Sequence, residues 1–142
     1  MKTIICYATK SGAARECAEL LTERITDSSV CDLSKETPDI ETADIIIIGS
    51  GVRIGKVYKH ARKFIEKNLD KLLTKKTAVY LCNGEPGTYD QTVEKNIPEE
   101  LRSHSLCVTS FGGKAPFSSP KNHDWILMDN VNEFIQAVEQ GR

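Results

Sequence analysis

Four short apolar runs set the fold of this chain, and none of them alternates. Residues 4–8 read IICYA, 43–48 read ADIIII, 78–82 read AVYLC and 106–111 read LCVTSF. A strand with one wet face carries a polar residue at every second position. Continuous Ile and Val runs of this length belong instead to strands covered on both faces. That is the pattern of a parallel sheet, in which crossover helices lie on either side. Residues 29–33 make a weaker run, suited to a short edge strand.

The connections between these runs supply the helices. Ala14, Cys17, Ala18, Leu21 and Ile25 follow three-and-four spacing, which puts one apolar stripe against the sheet. Val57, Ala61, Phe64, Ile65, Asn68, Leu69 and Leu72 repeat the pattern with lysines opposite, and Val131, Phe134, Ile135 and Val138 repeat it again. Asp124 is the expected N-cap of that last helix. Residues 90–105 are less regular, and Pro98 divides them into two short turns. The alternation predicts an α/β fold: a doubly wound five-stranded parallel sheet of order 2-1-3-4-5, helices on both faces, in one domain over residues 1–142. Ligands of such sheets bind beyond the carboxyl ends of the strands, beside the first strand, where the order reverses.

The loop at that place is Thr9-Lys10-Ser11-Gly12-Ala13-Ala14, and it runs straight into the first helix. A helix N-terminus attracts an anion through its unpaired amides and the positive end of its dipole. Two hydroxyls add donors, and Gly12 lets the backbone approach closely. No acidic residue falls between Lys2 and Glu16. The loop reads as a phosphate site; the alternative is an ordinary helix entry with Ser11 as its cap. It is neither the GxGxxG dinucleotide turn nor the glycine–lysine loop of nucleotide-binding proteins.

Several chemistries are excluded. A phosphoacceptor receiver needs acidic residues after the first and third strands, where this chain has Thr9 and Ser50. A low-molecular-weight tyrosine phosphatase needs a Cys-x5-Arg loop that is absent. A net charge of -1 and 6% aromatic residues argue against nucleic acid as a partner. His60, His104 and His123 lack metal-ligand spacing, so no metal site is expected. Five cysteines without a CxxC pair read as reduced thiols of the core, with Cys82 set apart by its place at a strand end. No stretch approaches the roughly 20 apolar residues of a membrane span. The chain opens on a strand pattern rather than a signal peptide, so a cytoplasmic protein is expected.

The first loop resembles the T-x-S/T-G-x-T phosphate loop of flavodoxins. It matches at Thr9, Ser11 and Gly12 and departs at Ala14, where that family has a second hydroxyl. The resemblance implies FMN as cofactor, with residues 9–14 on its phosphate. Residues 49–60, GSGVRIGKVYKH, then stand where flavodoxins lay a loop along the isoalloxazine ring. Implied contacts are Ser50, Gly51, Val52, Arg53, Ile54 and Gly55, with a glycine peptide turning its carbonyl to the flavin N5. Asn83, Gly84, Glu85, Gly87 and Tyr89 stand where flavodoxins carry a G-D-x-x-Y-like segment. Its amides would read the pyrimidine edge and Tyr89 would stack on the outer ring face; the alternative is local packing of Tyr89 at its helix entry. Phe117 and Trp125, in the loop after the fifth strand, are candidates to cover a ligand.

Residues 49–64 resemble still more closely the flavodoxin-like menaquinone-dependent protoporphyrinogen oxidases, in an Arg two residues before a Gly and a basic, aromatic helix entry. The chain departs from them after the fourth strand, where they carry a long basic insertion and this sequence has only CNGEPGTYD. The resemblance therefore implies an FMN electron-transfer protein with no catalytic residue of its own, working with a redox partner protein that is acidic or uncharged at its docking face. The basic residues Lys10, Arg15, Arg53, Lys56 and Lys59 give that expectation its sign. The alternatives are an FMN oxidoreductase of the protoporphyrinogen oxidase or quinone-reducing type, and a flavin-free binding module of the same fold.

Overall fold

A computed structural model describes residues 1–84, 86–113 and 124–141. In chain order the elements are β1 (Thr3–Ala8), α1 (Ala13–Arg24), β2 (Ser28–Asp32), β3 (Ile45–Arg53), β4 (Lys56–Val57), α2 (Lys59–Leu72), β5 (Lys76–Cys82), α3 (Tyr89–Asn96), α4 (Glu99–His104), β6 (Val108–Ser110) and α5 (Met128–Gln140). Five strands pair in parallel in the order β2-β1-β3-β5-β6, the order expected from the sequence. Growth runs from β1 to β2 and then returns to β3 on the other side of β1. The reversal lies between β1 and β3.

The non-alternating runs have a direct cause. Along β1, Ile5 and Tyr7 pack into one core and Ile4, Cys6 and Ala8 into another; along β3, Ile45 and Ile47 oppose Ile46 and Ile48 in the same way. α1 and α5 cover the first core, while α2, α3 and α4 cover the second. Each isoleucine of β3 is at most 1% exposed, and burying such a side chain contributes about 2 kcal/mol. Edge strand β2 is covered less fully, with Cys31 buried and Val30 40% exposed, which is why its run is weak in the sequence.

Three local expectations shift. Val57 belongs to β4, paired antiparallel with Val52 of β3, and not to the stripe of α2. α5 starts at Met128 with Leu127 in the cap position and no side-chain cap, so Asp124 is not its N-cap. β6 spans three residues, yet its ladder continues beyond them. Leu106 N donates to Thr77 O at 2.7 Å and Phe111 N donates to Leu81 O at 2.9 Å. Pro98 starts α4 as expected. Among the described residues, no helix is long and apolar enough to cross a membrane.

Tyr80 ties these layers together. It is fully buried opposite Gly49 in the β3–β5 register, and its ring lies over that glycine. Its hydroxyl donates to the Ala14 carbonyl at 2.9 Å, fixing the first turn of α1 to the middle of the sheet. The ring also stacks on Phe111 at 4.7 Å and meets the edge of Phe134 at 6.0 Å. A Cβ on Gly49 would stand 1.9 Å from the Tyr80 ring carbon Cζ, with no flexible tip to move aside. Gly49→Ala is therefore expected to destabilise the fold by about 3 kcal/mol or more, the upper end for overpacking a core. Urea unfolding checks this; a loss below about 1 kcal/mol would mean the ring has room to move.

Candidate functional site

Three loops meet at the carboxyl ends of β1, β3 and β5, on the reversal point of the sheet. In the first, Gly12 sits at φ 90°, a left-handed geometry that favours glycine, and serves as N-cap of α1 with no side-chain cap bond. Thr9 turns its hydroxyl inward, where Oγ1 accepts from Gly12 N at 2.9 Å. Ser11 is exposed and its Oγ is 3.4 Å from Ala13 N, too long for a strong bond. Thr9 thus shapes the loop, and Ser11 and Lys10 face outward from it.

The second loop is not a loose glycine-rich turn but a hairpin. β3 runs through Arg53, and β4 returns after the two residues Ile54 and Gly55. Both have positive φ, 51° and 70°, as a tight turn twisted to suit its strands requires. Glycine adopts this readily, whereas a β-branched residue there is a true outlier. Ile54 is also 90% exposed, so its side chain offsets none of that strain by burial.

Side chains hold the hairpin from beneath. Ser50 is buried; its hydroxyl donates to Gly51 O at 2.7 Å and accepts from Tyr58 N at 3.1 Å. Asn96, on α3, accepts from Val57 N at 3.1 Å through Oδ1 and donates to Gly55 O at 2.9 Å through Nδ2. Gly51 lies against the Tyr58 ring, 2.6 Å from where its Cβ would be.

The third loop crosses the segment after β6 at two glycines. A Cβ on Gly113 would come within 2.7 Å of Gly84 N and 3.0 Å of Cys82 O. The two backbones touch, and only glycine fits at this point of Gly113.

A cleft of about 870 Å³ lies between the three loops. Of the residues singled out in the sequence, Lys10 and Ser11, the stretch from Gly51 to Gly55, and Asn83 and Gly84 line it. Thr9, Gly12, Ala13, Ala14 and Ser50 support it from behind and do not line it, and Gly87 stands away from it in an exposed turn. Tyr89 does not line it either. That ring packs half-buried on the α2-side core, where burial pushes its phenol up to about 12. The aromatic of the cleft is Tyr58, with Thr88, Gln91, Thr92, Lys95 and Gly113 also on the wall. Glu85, Phe117 and His123 lie outside the described residues. Trp125 packs half-buried against the α1-side core.

Among the described residues, the charge of the cleft is one-sided. Its described titratable groups are the cations Lys10, Arg53 and Lys95, the Tyr58 phenol and the Cys82 thiol. Burial raises the Tyr58 phenol, with Arg53 pulling weakly the other way, so it stays neutral at ordinary pH. The Lys10 ammonium lies 5.0 Å from the Tyr58 ring centre, a cation–π contact that bridges the first loop to the hairpin. No group of three or more metal-ligating side chains exists among the described residues.

The sequence and fold match known proteins at this point. The sequence model of a family described as flavodoxin domain matches residues 4–120. Protoporphyrinogen IX dehydrogenase (quinone) of Escherichia coli K12 is 28% identical over 88 residues, which is 58% of this chain. That stretch is 49% of the Escherichia coli protein, so the chain spans about half the length of the curated relatives it matches. A short-chain flavodoxin associated with a bacterial microcompartment superposes with a TM-score of 0.69 at 18% identity, over 99% of both chains. A flavoprotein in complex with FMN from Lactobacillus acidophilus gives 0.62 at 18% identity, over 77% of this chain and 92% of that one. The structural likenesses speak for the fold.

The strain at Ile54 can be measured directly. Ile54→Asn puts a residue that tolerates left-handed geometry into the turn, and is expected to stabilise the protein by about 1 kcal/mol. The urea midpoint should rise with an unchanged slope. A lower midpoint would show that the isoleucine contributes packing that outweighs its strain.

Proposed function

Because the chain belongs to the flavodoxin domain family, we propose that it binds FMN in this cleft and passes electrons between that flavin and a partner protein. The observation that carries the reading is the entry to α1. Its N-cap is a left-handed glycine without a side chain to cap the helix, and the side-chain partner of the first-turn amides is the long 3.4 Å contact of Ser11 Oγ with Ala13 N. An anion at that place completes the helix end.

The residues at hand fit the group. The Ser11 hydroxyl, the Lys10 ammonium and the amides of Ala13 and Ala14 would hold the phosphate. Ala14 is fully buried, so this position offers its backbone and no side chain. Tyr58 and Val52 would wall the ring on the hairpin side, and the Gly84–Gly113 crossing would offer backbone groups to its polar edge. The cleft volume falls within the range of small-molecule sites. When bound, the flavin supplies one- and two-electron transfer. The chain itself binds, orients and steers.

Steering follows from the charge of the mouth. Lys10, Arg53 and Lys95 on the wall, with Lys56 and Lys59 beside the hairpin, draw a partner that is acidic at its docking face. We place this exchange in the cytoplasm, where thiols are reduced at rest and disulfides are transient, with residues 1–142 acting as one domain.

A second reading makes the chain an FMN oxidoreductase that acts on a small organic substrate. The match to the Escherichia coli dehydrogenase favours it, as does the exposed Ile54 at the mouth of the cleft.

Two measurements test the proposal. Lys10→Ala with Ser11→Ala should weaken FMN at least about tenfold more than riboflavin, which lacks the phosphate; equal losses would move the phosphate elsewhere. Stopped-flow oxidation of the reduced, FMN-loaded protein should be fast with an acidic redox protein such as a ferredoxin, and should slow as salt is added. Rapid repeated turnover of menaquinone or protoporphyrinogen, with no salt-dependent protein reaction, would instead establish the second reading.

A further inference from the structure

Two cysteines meet under the cleft. Cys17 on α1 and Cys82 at the end of β5 are 65 residues apart in sequence, and their Sγ atoms are 3.9 Å apart. Both are buried, at 0% and 4% exposure, but they differ in access. Cys82 lines the cleft, whereas Cys17 is sealed behind it in the α1-side core. The Tyr80 hydroxyl bond to Ala14 clamps β5 to α1 three residues from Cys17 and two from Cys82, so the sulfurs stay opposed. A disulfide needs about 2.0 Å between sulfurs, so the two must close by about 2 Å to bond.

We propose that Cys17 and Cys82 form a redox-active dithiol that exchanges two electrons with the flavin of the cleft. This rests on the FMN reading. Oxidation breaks the two S–H bonds and forms one S–S bond. The two electrons and two protons pass to oxidised FMN, which leaves as its two-electron-reduced, doubly protonated form. Run backwards, the reduced flavin opens the disulfide. Cys82, on the cleft wall, would be the sulfur that meets the flavin, and Cys17 the resolving partner behind it. The pair would let the protein hold two electrons beyond those on its flavin.

The test uses the full chain, first reduced and freed of reductant. FMN binding is read on its own by quenching of flavin fluorescence. The protein is then incubated anaerobically with oxidised FMN, quenched in acid, denatured, alkylated and digested without reductant. The expected result is a linked peptide pair, joining Cys17 and Cys82 and lighter by two hydrogens than the separate dithiol peptides. Cys6 and Cys31, register partners on β1 and β2 facing the other core, should remain fully alkylated. Cys17→Ser and Cys82→Ser should each abolish the link, with circular dichroism reporting that each still folds. In reductive titration, the linked holoprotein should take up roughly four electron equivalents and Cys17→Ala roughly two. FMN binding with all cysteines still alkylated would overturn the dithiol and leave the FMN reading standing. Failure to bind FMN would overturn both.

Discussion

The ring of Tyr80 lying over the bare backbone of Gly49 is the contact on which the rest of the structure depends. It joins β5 to β3 across their register, meets Phe134 of α5 at its edge, and reaches Ala14 of α1 through its hydroxyl. Burial holds that phenol far above its ordinary range, so it serves only as a neutral donor. A single hydrogen bond of this kind contributes about 1 kcal/mol net. Its larger effect is geometric, because it sets where the first turn of α1 stands relative to the sheet. The amides of that turn, the loop before it and the sulfur of Cys17 all take their positions from this clamp.

From there the site follows as a consequence of topology. The winding order reverses between β1 and β3, and the loops that follow these strands meet at that point. The loops that meet there divide the work. The α1 entry offers amides without a cap, the hairpin offers an aromatic wall, and the Gly84–Gly113 crossing offers bare backbone. Ser50 and Asn96 keep the hairpin in place, and neither lines the cleft. The strained turn at Ile54 sits at the end of this rigid arm. Strain of about 1–2 kcal/mol persists only where the surrounding structure holds the geometry, as these bonds do.

Much of this was legible in the sequence, and the physical reasons are specific. Strands buried on both faces leave continuous apolar runs, so the sheet and its order could be read. The first loop stood out in the sequence as hydroxyls and a glycine closing a buried strand, and the structure puts Lys10 and Ser11 of it on the cleft and Thr9 on Gly12 N. The hairpin could not: the turn is Ile-Gly rather than the Asn-Gly that such a turn prefers. For the same reason the sequence points to Tyr89 at a helix entry as the aromatic of the site, whereas the early return of the chain puts Tyr58 on the cleft wall. Asn96 and the Cys17–Cys82 contact join residues distant in sequence, and no local pattern announces them. Cys82 alone carried a hint, as the cysteine at a strand end.

The most direct measurement is the identity and amount of flavin that the protein retains. The purified protein, reconstituted with a mixture of FMN, FAD and riboflavin, desalted and then denatured, should release FMN alone, in about equal molar amount to the chain. A terminal phosphate held at the α1 entry would discriminate against both a flavin that lacks one and a flavin that extends beyond it. Release of FAD, of riboflavin in comparable amount, or of no flavin would contradict the assignment of this cleft.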